Sequence, residues 1–283
     1  MNSSPLNIDK LKGRTLGLLG AGNMAEALAR GIIQSGAISA RSVTASDVSP
    51  ERRAFFKETL GANATDDNLA VVNAADILVL CVKPHQVDAV LAGIAPAFQS
   101  GKHVLASICA GISTARMEAL LPMGARVVRV MPNTPMLVGL GACGVAGGKH
   151  ASADDRAVIE ALFATAALTL QVDEFMMDAV TGLSGSGPAY LFYLVEAMIA
   201  AGVAEGFSAE HARALSVRTV LGAAKMLDDT KLPPEELRRR VTSPNGTTQA
   251  AIEQLDAGNV KNLLASAVRR AAERSRELGR GTV

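Results

Sequence analysis

The sequence is poor in aromatic side chains: its 283 residues include no tryptophan, two tyrosines and seven phenylalanines. The interior must therefore be packed mainly with alanine, valine, leucine, isoleucine and methionine. The apolar share of 49% is ample for a core, and small side chains let helices approach each other closely. Because a chain of this length exceeds the usual size of one domain, we expect two domains.

The sequence also lacks a block of charge of one sign. Its formal net charge is +1, and lysine and arginine are spread along the chain. This distribution argues against binding to nucleic acid or to an anionic membrane surface. Arg238–Arg240 form a short basic run, which we interpret either as a solvated helix face or as an ion-pair site between subunits.

Cysteine is scarce, and long apolar runs are missing. Cys81, Cys109 and Cys143 lie far apart, without a C-x-x-C pair or a nearby histidine at metal-ligand spacing, so disulfides and a metal site are not expected. The apolar stretch Pro188–Val203 contains Glu196 and is too short to span a membrane, and no signal-like apolar segment opens the sequence. These features predict a soluble protein of the reducing cytoplasm.

Short β-branched runs alternate with helical segments from Thr15 to Val172, which is typical of a doubly wound parallel sheet. The predicted strands are Thr15–Leu19, Ser42–Ser46, Ile77–Val82, His103–Ile108, Arg126–Met131, Cys143–Ala146 and Leu168–Val172. The predicted helices between them are Met24–Ser35, Pro50–Leu60, His85–Ile94, Ser113–Leu121 and Ser152–Thr165.

Strand-like runs stop after Asp173, which marks a predicted boundary between an α/β domain at residues 1–173 and an all-α domain at residues 174–283. The helices predicted there are Pro188–Glu205, Ser208–Leu227, Pro234–Arg240, Thr248–Asp256 and Val260–Leu278. The first of these is apolar around much of its circumference, and one small domain cannot cover that surface. We therefore expect buried association with another subunit.

A G-x-G-x-x-A motif begins at Gly20, directly after the first predicted strand. Gly20 permits the tight turn, Gly22 lets the backbone approach a pyrophosphate, and Ala25 keeps the helix close to the sheet. The helix start offers free N–H groups and a partial positive charge to that phosphate. A structural glycine turn is the alternative, but the position between a strand and a helix favours a Rossmann-type dinucleotide-binding domain.

The residues after the second predicted strand give conflicting indications about the nucleotide. Asp47 can accept hydrogen bonds from an adenosine ribose and would repel a 2′-phosphate. Ser46, Ser49, Arg52 and Arg53 favour a 2′-phosphate, although the arginines are equally well explained as solvated helix charges. The sequence thus permits NADPH, with NADH as a second coenzyme.

Loops after the third and fourth predicted strands fall where an open parallel sheet places its ligand. The small or fixed-φ residues of Cys81–Pro84 and Ile108–Gly111 allow the backbone to face a nicotinamide ribose. Lys83 is interpreted either as a hydrogen-bond donor to ribose or substrate or as an exposed loop lysine. His85 is interpreted as an ordinary loop histidine.

A polar segment, Val241–Thr248, interrupts the alanine-rich helical region. Its central Pro-Asn-Gly predicts a turn, and its two final threonines open the next helix. Free N–H groups at that helix start, together with the hydroxyls of Thr242, Ser243, Thr247 and Thr248, can hold a small anion such as a carboxylate. A simple N-cap explains the same spacing equally well.

Several segments, in this order, closely resemble pyrroline-5-carboxylate reductase: Gly17–Ala25, Val82–Pro84, Arg129–Pro135, Thr181–Tyr190 and Val241–Thr248. The last three are the specific ones, and the resemblance covers nearly the whole chain. It implies NAD(P)H-dependent reduction of 1-pyrroline-5-carboxylate to L-proline, the last step of proline biosynthesis. It also implies a Rossmann domain followed by a helical domain that forms homodimers, which often assemble into decamers.

The resemblance also implies site residues. The coenzyme site would comprise Leu19, Gly20, Ala21, Gly22, Asn23, Met24, Asn68, Val82, Lys83, Pro84, Cys109, Ala110 and Gly111, beside Ser46 and Asp47. The substrate site would comprise Val241, Thr242, Ser243, Gly246, Thr247 and Thr248, with the partner subunit's Glu174 approaching the substrate. Two positions depart from the family pattern: Asn245 stands where glycine is frequent, and Asp47-Val48 replace a small or polar pair.

Reducing a cyclic imine requires a hydride at carbon and a proton at nitrogen. Because Thr248 is too weak an acid to supply the proton unaided, its hydroxyl is assigned to orienting the ring nitrogen. The N–H groups around Gly246 and Thr247 are assigned to the substrate carboxylate. The alternatives are an NADPH-sensing protein without turnover and a β-hydroxyacid dehydrogenase, whose acid or base would come from the lysines of the helical domain, Lys225, Lys231 and Lys261.

Overall fold

The protein is described here by a computed structural model, which covers residues 8–280. It divides into two compact units: the first runs to Ser186 and includes the end of the last helix from Arg270, and the second is Gly187–Arg269. The outer ends of the two predicted domains, residues 1–7 and 281–283, lie outside the described residues.

The first unit contains an eight-stranded sheet in the order β3-β2-β1-β4-β5-β6-β7-β8. Its strands are β1 Leu16–Leu19, β2 Val43–Ser46, β3 Asn63–Thr65, β4 Ile77–Leu80, β5 Val104–Ser107, β6 Arg126–Met131, β7 Gly141–Gly147 and β8 Ala167–Gln171. Strands β1 to β6 are parallel neighbours in the order 3-2-1-4-5-6, which is the order of a dinucleotide-binding sheet. The predicted doubly wound architecture is confirmed.

Four helices of this unit follow residues whose side chains cap them. Ser49, Asp67, Ser113 and Ser152 each accept a hydrogen bond from a backbone N–H of the following turn, which satisfies a donor that the helix itself leaves open. The helices are α1 Asn23–Gln34, α2 Pro50–Glu58, α3 Asn68–Ala74, α4 Val87–Ile94, α5 Thr114–Ala119, α6 Ala153–Ala164 and the short α7 Met177–Val180.

The sheet differs from the prediction at its two edges. The short edge strand β3 and the helix α3 that follows it were not predicted, because Asn63–Thr65 carries no apolar pattern. Strand β7 pairs with β6 in antiparallel fashion, since the connection of residues 132–140 is shorter than the dozen or so residues that a parallel crossover needs. Strand β8 then pairs with β7 in parallel.

The second unit is entirely helical among its described residues, as predicted. It contains α8 Gly187–Ala204, α9 Ala209–Thr230, α10 Pro234–Arg240, α11 Thr247–Ala257 and the greater part of α12 Val260–Gly279. The helical stretch Glu174–Ala204 is long and apolar enough to cross a membrane by length and composition, with a mean hydropathy of 1.4. Many of the apolar side chains of α8 are exposed: Leu191, Phe192, Tyr193, Leu194, Met198 and Val203.

The boundary between the two units lies after Ser186, beyond the boundary that was predicted after Asp173. The segment between these positions packs on the sheet: Met177 is fully buried, and the side chain of Asn133 donates a hydrogen bond to the carbonyl of Ser184 at 3.1 Å. Helical periodicity in the sequence marks where strands stop, but it does not show on which body the first helical turns pack.

His103 is a buried polar side chain just before β5. Its Nδ1 accepts the N–H of Gln99 at 3.0 Å, and its ring centroid lies 5.2 Å from that of Phe98. Burial lowers the pKa of His103, because the imidazolium would lose its hydration. The unfolded chain therefore binds this proton more readily, so the contribution of His103 to stability is complete about one pH unit above 6.5 and decreases as the pH falls toward the lowered pKa.

We expect urea unfolding of the wild type to show a loss of stability between about pH 7.5 and about pH 5.5. The variant His103→Gln should be less stable at the higher pH, because it loses buried contacts, yet it should lose less stability over the same interval. An identical pH dependence of the unfolding free energy in both proteins would contradict this assignment.

Candidate functional site

The turn after β1 has the shape that a phosphate site requires. Gly20 has φ +101°, and a Cβ there would lie 2.9 Å from the carbonyl oxygen of Cys81, so only glycine fits. A Cβ on Gly22, at the start of α1, would meet nothing within 4 Å. Within residues 8–280, the N–H groups of Gly22, Asn23 and Met24 have no acceptor. Open space and free donors at a helix start fit a pyrophosphate.

Asp47 follows β2, and its carboxylate is directed at the same turn. One oxygen accepts the N–H of Ala21 at 2.8 Å, and the other accepts the N–H of Ser49 at 2.9 Å. The carboxylate therefore holds the backbone of the turn, a role that sequence analysis did not assign to it. The motif alone could not show this contact, because the two residues come together only when β1 and β2 pair.

Arg52 and Arg53 make specific contacts, so the interpretation as solvated helix charges is wrong. Arg52 donates to the carbonyl of Ala21 at 2.6 Å. Arg53 donates to the carbonyls of Asp47 at 2.8 Å and Val48 at 3.0 Å. Both guanidinium groups thus lie at the carboxyl ends of β1 and β2, where the adenosine half of a dinucleotide binds in this fold.

Ser46 and Asn68 lie together at the carboxyl ends of neighbouring strands of the sheet. The buried hydroxyl of Ser46 donates to the side-chain oxygen of Asn68 at 2.5 Å and lies 3.4 Å from the carbonyl oxygen of Leu18. Asn68 is the first residue of α3. The predicted adenosine-side residues therefore occupy neighbouring strand ends.

The thiol of Cys109 connects the loops after β4 and β5 through hydrogen bonds. The Sγ of Cys109 lies 3.3 Å from the carbonyl oxygen of Val82 and 3.7 Å from that of Leu80. Burial raises the pKa of Cys109 to about 11 and that of Cys143 to about 12, so both thiols are neutral at ordinary pH and are poor nucleophiles. Lys83 is exposed in this loop.

Gly111 has a packing role in addition to any role at the coenzyme. Its φ is +77°, and a Cβ there would lie 3.1 Å from the Cβ of Leu278 and from the backbone nitrogen of Gly279. The end of α12 therefore packs directly on the Cys109–Gly111 loop. The sequence pattern alone indicated only that this glycine gives access to a ligand.

Glu174 is engaged within its own chain. Its carboxylate accepts the N–H of Thr114 at 2.7 Å and the hydroxyl of the same residue, at the start of α5. It also lies 3.8 Å from a guanidinium nitrogen of Arg129. The observed contacts are those of a helix cap and an ion pair, and the predicted approach of the partner subunit's Glu174 to the substrate stays a prediction.

Arg129 on β6 is the centre of a buried ionic cluster that sequence analysis missed. Its side chain is 5% exposed and also lies 3.3 Å from the carboxylate of Asp178, which accepts the hydroxyl of Ser275 at 2.6 Å. The cluster thus joins β6 to α7 and to the end of α12. Arg129, the first residue of the Arg129–Pro135 segment, thus has a structural role.

The Val241–Thr248 segment forms the predicted turn and helix start in the second unit. Asn245 adopts the left-handed conformation with φ +57°, so asparagine replaces the frequent glycine without loss of the turn. Its N–H is accepted by the side chain of Gln249 at 2.9 Å. The hydroxyl of Thr242 donates to the carbonyl of Arg238 at 2.7 Å and is therefore already used.

Helix α11 begins after Gly246, and no side chain caps it. Within the described part of the chain, the N–H groups of Thr247 and Thr248 and the hydroxyls of Ser243, Thr247 and Thr248 have no hydrogen-bond partner. The N-cap residue is Gly246, so the hydroxyls of this segment do not serve as a side-chain cap. Three hydroxyls and two N–H groups remain available to an anionic ligand at this helix start.

The lysines of the helical region carry no sign of acid or base chemistry. Lys225 and Lys231 pair with Asp229 and Asp228, and Lys261 pairs with Asp256, all at exposed positions. The basic run at the end of α10 is likewise an exposed helix face: hydrogen bonds from Arg239 and Arg240 lower the pKa of Glu236 to about 2.

Comparisons with known proteins agree with this geometry. Residues 174–278 match the family model described as pyrroline-5-carboxylate reductase dimerisation, and residues 15–111 match NADP oxidoreductase coenzyme F420-dependent. The chain is 41% identical to the pyrroline-5-carboxylate reductase of Methanosarcina acetivorans over 95% of this chain and 100% of that protein.

Solved structures give the same result. The pyrroline-5-carboxylate reductase of Coxiella burnetii is 35% identical with a TM-score of 0.88, covering 94% of this chain and 98% of that one. The pyrroline carboxylate reductase of Plasmodium falciparum, solved with NADP bound, is 30% identical with a TM-score of 0.85, covering 95% of this chain and 99% of that one.

Proposed function

The chain belongs to the pyrroline-5-carboxylate reductase family, and on that premise we propose how its residues carry out the family reaction. The protein reduces 1-pyrroline-5-carboxylate to L-proline, the last step of proline biosynthesis, with a nicotinamide coenzyme. The observation that carries the proposal is a pair of helix starts with unpartnered donors, one at α1 and one at α11. Each fits one of the two anionic reactants.

The start of α1 and the neighbouring strand ends hold the coenzyme in this proposal. The N–H groups of Gly22, Asn23 and Met24 bind the pyrophosphate, and Ser46 and Asn68 lie at the adenosine ribose. The loops Val82–Pro84 and Cys109–Gly111 bind the nicotinamide half. When bound, the reduced coenzyme supplies the hydride, so the protein needs no redox group of its own.

The start of α11 holds the substrate. The N–H groups of Thr247 and Thr248 and the hydroxyl of Ser243 bind its carboxylate. The hydroxyl of Thr248 donates to or accepts from the ring nitrogen and orients the imine. A threonine hydroxyl is too weak an acid to protonate the nitrogen unaided, so water completes the proton transfer. Val241, Thr242 and Gly246 shape the turn.

NADPH is the preferred coenzyme in this proposal, and NADH is accepted more weakly. The carboxylate of Asp47 is occupied by the N–H groups of Ala21 and Ser49, which reduces its repulsion of a 2′-phosphate. Arg53 presents its guanidinium at the turn after β2 and is the cation that would meet this phosphate. The relative from Plasmodium falciparum was solved with NADP bound.

The active protein is proposed to be a cytoplasmic homodimer that can assemble further into decamers. The matched dimerisation segment includes all of α8, whose exposed apolar side chains need a partner surface. Burial between two copies of this chain also accounts for the apolar composition of Glu174–Ala204 without a membrane. Sedimentation of the purified protein separates monomer, dimer and decamer.

The proposed function is tested by following coenzyme absorbance with 1-pyrroline-5-carboxylate as substrate, with NADPH and NADH side by side. We expect turnover with both and a higher kcat/KM with NADPH. Coenzyme binding without turnover would support a sensing protein instead. Turnover with a β-hydroxyacid but none with the cyclic imine would favour the dehydrogenase alternative.

Thr248→Ala should lower kcat/KM for the imine by roughly 5-fold to 150-fold, because one hydrogen bond in the reacting complex is worth about 1 to 3 kcal/mol. Thr248→Ser keeps the hydroxyl and should retain most of the activity. The affinity for NADPH should stay unchanged in both variants. A kcat/KM within a few-fold of the wild type for Thr248→Ala would show that the orienting role is wrong.

A further inference from the structure

The peptide backbone of Ala21 is held from two sides. Its N–H is accepted by the carboxylate of Asp47 at 2.8 Å, and its carbonyl accepts from the Nε of Arg52 at 2.6 Å. Ala21 lies between the two glycines of the phosphate-binding turn, and its side chain is buried in the core. Both contacts come from residues after β2, outside the motif.

We propose that Arg52 is a positioning residue of the coenzyme site, which fixes the Gly20–Gly22 turn in the shape that receives the pyrophosphate and does not contact the 2′-phosphate. This inference rests on the proposed function, because it concerns the same coenzyme. It assigns different tasks to two adjacent arginines that the sequence alone presents as equivalent.

The contacts of Arg52 hold its guanidinium beside the turn. Its Nη2 donates to the carboxylate of Glu26 at 2.9 Å, and its Cζ lies 4.9 Å from the ring centroid of Phe55. Glu26 is in the first turn of α1. Arg52 therefore joins the turn to the helix that follows it, and the planar fork of an arginine is needed to reach both acceptors at once.

Arg53 has different partners. It donates to the carbonyls of Asp47 and Val48, and its other terminal nitrogen lies 3.9 Å from the exposed carboxylate of Asp66. Among the described residues, its hydrogen bonds and ion pair do not involve Ala21. Arg53 is thus the residue that can exchange a weak surface ion pair for a phosphate.

Arg30 provides a matched control within the same cluster. It pairs with Glu26 at 3.0 Å, and its Cζ lies 5.3 Å from the centroid of Phe55. Arg30 therefore shares two partners with Arg52 but does not touch the Ala21 carbonyl. Removing it tests whether the charge cluster alone is responsible for an effect on the coenzyme.

The experiment measures the dissociation constants of NADPH, NADH and adenosine 2′-monophosphate for the full-length protein. The last ligand carries the 2′-phosphate without a pyrophosphate. We expect Arg52→Ala to weaken NADPH and NADH by a similar factor, roughly ten-fold, and to leave adenosine 2′-monophosphate unchanged. Arg53→Ala should weaken NADPH and adenosine 2′-monophosphate but not NADH, and Arg30→Ala should leave all three unchanged.

Arg52→Lys keeps the positive charge but loses the planar guanidinium that reaches both acceptors. It should therefore weaken NADPH and NADH in the same way as Arg52→Ala, even if the alanine variant folds poorly. The inference is overturned if Arg52 variants weaken only the two ligands with a 2′-phosphate, if Arg30→Ala weakens the coenzymes equally, or if neither Arg52 variant changes any affinity. A wild type that binds neither coenzyme would overturn the proposed function as well.

Discussion

Replacing Gly22 with aspartate is expected to weaken binding of NADPH and NADH by at least about 100-fold, roughly 2.7 kcal/mol, while the chain stays folded. A Cβ at this position meets nothing within 4 Å, and the backbone is extended with φ −70° and ψ −178°. Aspartate accepts this conformation and is a favoured helix N-cap. Its carboxylate would fill the open space and take the N–H groups that the proposal assigns to the pyrophosphate.

Repulsion adds to this competition, because two like charges about 4 Å apart cost about 1 to 4 kcal/mol depending on solvent access. The measurements are coenzyme affinity and the midpoint of thermal unfolding. Gly101→Asp is the control, because it adds the same charge at another glycine with open space. Gly101 precedes β5 and therefore lies at the amino ends of the parallel strands, away from the proposed phosphate site. Coenzyme affinity within three-fold of the wild type in Gly22→Asp would rule out this phosphate site.

Replacing Arg129 with methionine should lower the free energy of unfolding by about 3 to 5 kcal/mol. The side chain is 5% exposed and is the cation shared by Glu174 and Asp178. Methionine fills similar space but leaves two carboxylates close together without a counter-charge. The loss should appear in urea unfolding at a fixed protein concentration, because the stability of an oligomer depends on concentration.

Two controls separate charge from volume in the Arg129 experiment. Arg116→Met removes an arginine that is 38% exposed and pairs with Asp88 at the surface, and it should cost about 0 to 1 kcal/mol. Adding Glu174→Gln to Arg129→Met should recover part of the loss, because it removes one of the unpaired charges. A loss below about 1 kcal/mol for Arg129→Met would show that the cluster does not stabilise this fold.

The Arg129 cluster also bears on the assignment of Glu174. Its carboxylate already accepts two hydrogen bonds from Thr114 and faces Arg129. These contacts use two of the roughly four acceptor positions of the carboxylate, so a role for the partner subunit's Glu174 at the substrate stays a prediction. The cluster places Glu174 where the chain leaves the sheet and enters the helices, so its charge also has a structural role.

The sequence by itself determined the elements that depend on local interactions. Central strands, most helices and the two helix starts were predicted, with free donors at α11 as one of two interpretations, because apolar periodicity, side-chain caps and glycine at a tight turn act over a few residues. The G-x-G-x-x-A motif and the Val241–Thr248 segment belong to this class. Their backbone geometry follows from the residues they contain.

Tertiary structure decided which distant groups meet. Only the pairing of β1 with β2 brings Asp47 and Arg52 to Ala21, and only the packing of the first helical turns on the sheet brings Asp178 to Arg129. The antiparallel direction of β7 and the short β3 were likewise set by their surroundings. A side chain's partner depends on which chain segments become neighbours in space, and no pattern along the sequence carries that information.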